Sequence, residues 1–381
     1  RKCLPALFGA ALDDDADAAA AAAAAVAAVA PNAEPSFVSA IFKKLATRLL
    51  GSVSALAAAG SRGRKRGAGG DDKSDAQKAA KLCDLAAALA PSLELASADV
   101  LWRAALPLAA LDAHLDLQKR AYKIFAALCA RPDFLASKAD AVVEALGQQG
   151  ACPVACRAAR VTCLANVVEA SPAPKPIVAA LVGEVVLCLK DANGKARAAA
   201  FGLLDAMAAA MDEKEGSLVE FIHMLLGGLG ARTSHMRSAA LVAVARALYA
   251  YGDRADVLDL VPKLLDAAAV LLRDKAREVA KATLAFIHVA VSLLCSATKH
   301  LGRADALEPL LPKLVEALLL WAHERKCRFR AKVKAILRKL CREYGHDAVA
   351  GFVPESDKAI VAHLKKMDSR AKKAKSAKKE P

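Results

Sequence analysis

An arginine that returns every forty residues constrains the fold of this chain more than any other feature. It occupies Arg157, Arg197, Arg237 and Arg277. An aliphatic side chain stands seven residues after each of these arginines, at Leu164, Leu204, Val244 and Leu284. The same frame fits around Gln118 and, after an insertion of about thirteen residues, at Arg330. A repeat of this length is typical of stacked helix pairs, because one pair cannot bury its apolar face alone.

Residues 177–211 show the form of one pair, with helical apolar spacing on both sides of a turn at residues 191–194. Asn193 and Gly194 are expected to supply a positive φ and a side-chain cap at this turn. Asp191 and Arg197 are six residues apart, the spacing of the acid and arginine that link adjacent HEAT repeats. The residues predicted to make contacts between repeats are Arg157, Asp191, Arg197, Arg237 and Arg277.

Composition favours helices over strands throughout. Alanine and leucine are abundant, aromatic residues make up 4% of the chain, and no run of alternating strand pattern is bounded by turn residues. We therefore predict an all-α fold, a HEAT/armadillo-like α-solenoid of about 40-residue helix pairs. An ordinary globular helical domain is the alternative, but it would not place four arginines in register.

Shifts in composition divide the chain into five segments. They are a low-complexity, partly helical N-terminal segment (1–60), a flexible linker (61–75), the solenoid (76–345), a C-terminal helical cap (346–367) and a basic disordered tail (368–381).

The net charge of +15 is concentrated at one end of the chain. Residues 325–381 hold 18 Lys or Arg against 6 Asp or Glu, and the preceding residues are nearly neutral. Residues 327–342 contain no acid, yet four aliphatic side chains recur in them at helical spacing, Val333, Ile336, Leu337 and Leu340. This pattern predicts a helix with one buried side and one basic side, on which Lys334, Arg338 and Arg342 form a row.

A row of like charges on a helix is explained if a polyanion neutralises it; the alternatives are a solvated face or a contact with an acidic protein. The residues predicted to bind RNA or a partner are Lys326, Arg328, Arg330, Lys332, Lys334, Arg338, Lys339, Arg342, Arg370, Lys372 and Lys373. Aromatic residues are few here, which favours contact with the nucleic-acid backbone over base stacking. The tail could equally serve as a nuclear localisation signal.

Catalytic and metal-binding patterns are not found, so we expect no enzyme activity, catalytic residue, metal or cofactor. The segment GAGGDDKS places Asp72 before Lys73, where a phosphate-binding loop needs glycine. The cysteines lack zinc-ligand spacing and are expected to be buried free thiols. The longest apolar run, residues 18–30, is mostly alanine and too short to span a membrane, so no contact with a membrane is expected. A small-molecule substrate is not expected either.

Five stretches of the chain resemble the C-terminal part of the ribosomal RNA-processing protein 12 family, HEAT-repeat factors of eukaryotic ribosome assembly. They are LQKRAYKIFAALC (117–129), MLLGGLGARTSHMRSAALVAVARALYAYGD (224–253), LLRDKAREVAKATLAFIHVAV (271–291), KCRFRAKVKAILRKLCREYGHDAVAGFVPESDK (326–358) and the closing RAKKAK. Their order and spacing resemble the family over about residues 80–375, whereas residues 1–79 match little.

The resemblance implies a nucleolar and nuclear protein that binds pre-ribosomal particles. Its expected partners are pre-rRNA, pre-ribosomal proteins and nuclear-transport components, in small-subunit precursor maturation and nuclear export of subunits. Two alternatives remain open, a HEAT-repeat nuclear-transport receptor and a regulatory scaffold subunit that binds only proteins. Receptors of the first kind tend to be acidic to attract basic cargo, which a basic chain fits poorly.

Overall fold

The computed structural model of the chain describes residues 3–12, 16–61, 71–147, 152–302, 304–324 and 329–376. Within these ranges every regular element is a helix, and no strand occurs in them. The predicted all-α fold is therefore confirmed. The chain divides into two compact units, unit 1 (Arg1–Val185 and Asp191–Glu215) and unit 2 (Val186–Lys190 and Gly216–Pro381).

Unit 1 is built of two layers of stacked helices. Its helices are α1 (Cys3–Ala11), α2 (Ala16–Val29), α3 (Pro35–Ser61), α4 (Asp71–Leu89), α5 (Leu95–Ala109), α6 (Leu115–Cys129), α7 (Pro132–Leu146), α8 (Arg157–Ala170), most of α9 (Lys175–Cys188) and α10 (Gly194–Glu213). In one layer α2, α4, α6, α8 and α10 pack in chain order, each on the next. In the other layer α3 packs on α5 and α5 on α7.

Unit 2 repeats the same arrangement. Its helices are α11 (Leu218–Leu226), α12 (Ser234–Tyr251), α13 (Ala255–Leu258), α14 (Val261–Leu271), α15 (Arg277–His300), α16 (Leu311–Leu319), α17 (Phe329–Tyr344), α18 (His346–Gly351) and α19 (Lys358–Ser376). Here α12, α15, α17 and α19 form one layer in chain order, and α14 packs on α16 in the other. Stacked pairs of this kind are the α-solenoid architecture that the repeat predicts.

The forty-residue frame has a structural counterpart. All four recurrent arginines lie in the first turn of a helix, on α8 and α10 in unit 1 and on α12 and α15 in unit 2. The aliphatic residue seven positions later is buried in each case. The period therefore marks equivalent helices, and the predicted register of the repeat is confirmed. We call the helices α2, α4, α6, α8 and α10 of unit 1, and α12, α15, α17 and α19 of unit 2, the inner helices.

Two aspartates connect successive inner helices. Asp191 pairs with Arg157 of the preceding helix, and Asp274 lies 2.8 Å from Arg237. Each carboxylate also accepts the backbone N–H two residues further on, at 2.8 Å, from Asn193 and Ala276 respectively. One side chain thus closes the turn and holds the previous arginine.

The predicted contacts of Arg197 and Arg277 take other forms. Arg197 does not pair with the carboxylate of Asp191, which Arg157 occupies; it donates to the carbonyl of Asp191 at 2.6 Å. Arg277 pairs with Glu324 at 2.9 Å. Asn193 does cap the following helix through its side chain, but its φ is −77°, so the expected positive φ is wrong. An N-cap residue has extended backbone, and that geometry prevails here.

Two predicted boundaries are also wrong. Helix α4 begins at Asp71, inside the predicted linker (61–75), while residues 62–70 lie outside the described residues. Helix α19 continues to Ser376, inside the predicted disordered tail (368–381), while residues 377–381 again lie outside. Alanine, lysine and arginine are good helix formers, and a tertiary contact at Asp368 extends the helix where composition alone predicts disorder.

Helix α15 is a longer apolar segment than residues 18–30, which the sequence predicts to be the longest one. Its 24 residues contain a window with a mean hydropathy of 1.8, so length and composition would allow it to cross a membrane. That window is 61% buried within the protein, where α15 packs on α12, α14 and α17. Such burial is typical of the core helix of a helical repeat.

The aspartate contacts predict how stability responds to mutation and pH. The N–H of Ala276 first, and then the Arg237 guanidinium, lower the pKa of Asp274 against the opposing effect of burial. We expect Asp274→Ala to reduce the free energy of unfolding by about 1–3 kcal/mol, measured by urea denaturation at pH 7. The lowered pKa stabilises the fold above the unfolded-state value near 4, and this contribution is lost as pH falls through the folded-state value.

The matched control is Asp253→Ala, which removes an exposed carboxylate of unit 2. It should change unfolding by less than about 0.5 kcal/mol. Equal effects of the two substitutions would contradict a structural role for Asp274.

Candidate nucleic-acid interface

Aromatic contacts fix where the basic helix α17 begins. The indole N–H of Trp321 donates to the carbonyl of Leu272 at 2.7 Å, which anchors the turn before α17 to the end of α14. The rings of Trp321 and Phe329, the first residue of α17, lie 4.6 Å apart, and Phe329 is fully buried. These contacts set the orientation of α17 against the helix before it.

The apolar side of α17 is buried as predicted. Val333, Ile336, Leu337 and Leu340 are each at most 1% exposed. This side packs on α15, while α18 and α19 also contact the helix. The basic side chains are therefore confined to the remaining surface of α17.

The predicted row of Lys334, Arg338 and Arg342 does not act as one surface. Arg338 and Arg342 both reach Oδ1 of Asp368 on α19, at 2.7 and 2.8 Å. His346 Nε2 lies 3.3 Å from the other oxygen of the same carboxylate. Asp368 is 8% exposed, so the two guanidiniums are held in a partly buried internal contact.

Electrostatics support the strength of this contact. Burial by itself would raise the pKa of Asp368, but hydrogen bonds from Arg342 and Arg338 outweigh it and lower the pKa to about 2. A carboxylate with two guanidinium donors stays ionised at any physiological pH. We therefore assign Arg338 and Arg342 to the docking of α19 on α17.

The remaining cations of α17 turn towards α15. Lys332 Nζ lies 3.4 Å from the carbonyl of Lys281, and Lys339 Nζ lies 2.7 Å from the hydroxyl of Ser292. Between them lies the exposed His288 of α15. Burial first, and then the charges of Lys339 and Lys332, lower the pKa of His288.

Two further cations lie on the other flank of α17. Arg330 and Lys334 are each two residues from Lys332, which is about 160° around a helix of 3.6 residues per turn. Arg330 is exposed and Lys334 half-buried. Partial burial and the charge of Arg330 lower the pKa of Lys334. We call the surface shared by α15 and α17 the basic face; it consists of Lys281, His288, Lys332 and Lys339.

The structure does not describe most of the other predicted residues. Lys326 and Arg328 lie outside the described residues, as do the side chains of Lys372 and Lys373. Arg370 is exposed on α19. Their binding role stays a prediction.

Sequence reasoning missed Lys281 and His288, although a signal for Lys281 existed. Lys281 stands four residues after Arg277, as Lys334 stands four residues after Arg330. Because Arg277 and Arg330 begin equivalent inner helices, their lysines occupy equivalent positions on neighbouring helices. Applying the repeat to the polar positions would therefore have identified Lys281 as a candidate alongside Lys334.

Among the described residues, no three His, Cys, Asp or Glu side chains come together in a way that could hold a metal ion. The chemistry that the basic face offers is a cluster of N–H donors and positive charge. Such a cluster suits phosphate oxygens rather than a neutral ligand.

Comparison with curated proteins gives several related sequences. The chain is 27% identical over 330 residues to ribosomal RNA-processing protein 12 of Saccharomyces cerevisiae, covering 79% of this chain and 26% of the yeast protein. It is 28% identical over 302 residues to the RRP12-like protein of Homo sapiens, covering 76% of this chain and 22% of that protein.

Over most of its length the chain is thus similar in sequence to ribosomal RNA-processing protein 12. The resemblance found in the sequence is thereby confirmed. The homologous region spans about a quarter of the length of the yeast relative. No family model matches the chain.

Solved structures add a similarity of fold only. A crystal structure of importin β matches 94% of this chain and 44% of its own chain, at 15% identity and a TM-score of 0.44. An engineered protein covers 96% of this chain at 13% identity and a TM-score of 0.38. Similarities at this level carry no functional argument.

The Asp368 contact predicts the behaviour of the last helix. We expect Asp368→Asn to release α19 from α17, because two guanidiniums then lose their charged acceptor. Hydrogen exchange of the α19 amides should accelerate by about tenfold or more, while exchange in α12 stays unchanged.

Asp347→Asn is the matched control, since Asp347 also pairs with α19, at 2.8 Å from Lys365, but is 90% exposed. Exposed ion pairs contribute little to stability, so the α19 amides of Asp347→Asn should exchange at the same rate as those of the unsubstituted chain. If both substitutions loosened α19 equally, the buried carboxylate would have no special role.

Proposed function

We propose that this chain is a non-catalytic scaffold that binds ribosomal RNA precursors through the basic face of unit 2. The observation that carries the proposal is that Lys281 and His288 of α15 share one surface with Lys332 and Lys339 of α17. The names of the curated relatives point to ribosomal RNA processing, which supplies the class of polyanion.

The form of the face favours backbone recognition. Phe329 is buried, and the hydroxyl of Tyr344 donates to Asp305 at 2.8 Å, so neither ring offers a stacking platform. Lysine and arginine side chains on helices reach phosphates without reading bases. The scaffold therefore recognises RNA by shape and charge, as proteins that bind structured RNA do.

The finer assignments are those that the sequence resemblance implies, and they belong to the same proposal. The protein works in the nucleolus and nucleus, on small-subunit precursors, with pre-ribosomal proteins and nuclear-transport components as further partners and a role in nuclear export of subunits. The stacked helix pairs serve as the platform on which these partners assemble.

Salt dependence tests the RNA contact. We compare binding of a structured pre-rRNA fragment by the full chain and by Lys281→Gln/Lys332→Gln/Lys339→Gln, between about 50 and 250 mM salt. The slope of log affinity against log salt should fall in magnitude by about 0.7–0.9 for each phosphate contact removed. The triple variant should therefore lose about two units of slope.

The matched control removes the same charge elsewhere, in Lys123→Gln/Lys195→Gln/Lys263→Gln, whose three lysines are exposed and lie off the basic face. Its slope should stay within about one unit of the unsubstituted value. An equal decrease of this slope in the two variants would show that RNA binding follows the net charge of the chain and would refute the proposed site. Retained affinity in both would point to a protein partner.

His288 gives a second readout at the same face. Burial and two neighbouring ammonium groups lower its pKa in the free protein, and a bound phosphate would raise it again. Binding must then take up a proton, so affinity should increase as pH falls from 8 to about 6. His288→Gln should abolish this pH dependence; an unchanged pH profile would place the RNA elsewhere.

A further inference from the structure

An open apolar groove runs along α3 of unit 1. Two adjoining cavities of 390 and 530 Å³ share Leu12, Arg48 and Leu82 in their walls, so they form one continuous depression. Its walls come from α1, α3, α4 and the residue that follows α1.

The floor of the groove is one side of α3. Its lining residues run from Phe37 through Ile41 and Leu45 to Ala55. At 1.5 Å per residue this lining is about 27 Å long, or five helical turns. Its large apolar side chains are at one end, where Phe37 and Ile41 are half-buried and Leu45 is buried. Leu82 and Leu85 of α4 and Phe8 of α1 complete the apolar lining.

Two glycines leave the groove open. Gly9 lies inside α1 and Gly51 inside α3, and both line the depression. A Cβ at either position would meet no atom within 4 Å, so neither glycine is required by packing. Glycine inside a helix costs about 0.5–1 kcal/mol relative to alanine. Its presence here is explained if another backbone approaches closely.

The rim of the groove is basic. Lys44 and Arg48 are exposed one turn apart on α3, and Lys78 and Lys81 line the opposite wall on α4. Among the described lining residues the acid is Asp75, which lies 3.5 Å from Lys78. An occupant must therefore combine an apolar face with negative charge beside it.

We propose that this groove binds an acidic amphipathic α-helix of a partner protein. The apolar end of the groove accepts side chains at i and i+3 or i+4 of the incoming helix, as in other helix-in-groove complexes. Glutamates flanking that face pair with Lys44 and Arg48 on the rim. The groove lies in unit 1, whereas the basic face lies in unit 2.

A designed peptide tests the proposal on the full chain. The probe is a fluorescein-labelled helix of about 18 residues, the length of the groove at 1.5 Å per residue, with Leu along one face and Glu elsewhere. One control peptide has the same composition with the leucines scattered, and another has Lys in place of Glu. Fluorescence anisotropy should show the acidic amphipathic peptide binding at least about tenfold more tightly than either control.

Charge reversal in the groove supplies the second arm. Lys44→Glu/Arg48→Glu should weaken the acidic peptide by about tenfold or more and strengthen the lysine peptide. The matched control is Lys43→Glu/Lys123→Glu, which reverses two exposed lysines outside the groove and should change affinity by less than about twofold. Gly51→Leu fills the open space without touching a charge and should also block the acidic peptide.

Several outcomes would overturn the proposal. Equal binding of the amphipathic and scattered peptides would show that no helix face is recognised. Unchanged binding by both Lys44→Glu/Arg48→Glu and Gly51→Leu would place the peptide elsewhere. Displacement of the peptide by a fatty acid at lower concentration would assign the groove to an acyl chain. A dimer in sedimentation that Gly51→Leu dissociates would assign it to a second copy of this chain.

Discussion

The inner helices of this protein bury their apolar sides against the inner helices of the neighbouring pairs and against the helices of the other layer. In unit 1 the inner helices run from α2 to α10, and in unit 2 from α12 to α19. The forty-residue period is the sequence form of this constraint, since every pair must present the same face at the same interval. Asp191 and Asp274 reinforce it, because each closes its own turn and holds the arginine of the previous helix.

The same constraint creates the proposed RNA surface. Stacking brings the exposed sides of α15 and α17 next to each other, so lysines that are far apart in sequence converge around His288. It also explains why part of the positive charge is not available, since Arg338 and Arg342 hold α19 through Asp368. The chain thus uses some cations to complete its own stack and leaves others facing solvent.

Periodic features of the fold could be predicted from sequence, and single tertiary contacts could not. The register of the arginines, the buried side of α17 and the helix pairs follow from spacing alone. Asp274 was not recognised because it precedes the next repeat arginine by three residues, whereas Asp191 precedes Arg197 by six. Asp368 was assigned to a disordered tail, because nothing in a lysine-rich segment indicates that one acid docks on a helix thirty residues earlier.

The most direct test of the account is to map where RNA touches the protein inside purified pre-ribosomal particles. Ultraviolet cross-linking followed by mass spectrometry identifies the peptides attached to RNA. The account predicts cross-links within residues 277–300 and 329–344, which carry the basic face on α15 and α17. Cross-links confined to other helices, with both of these segments detected but unmodified, would contradict it.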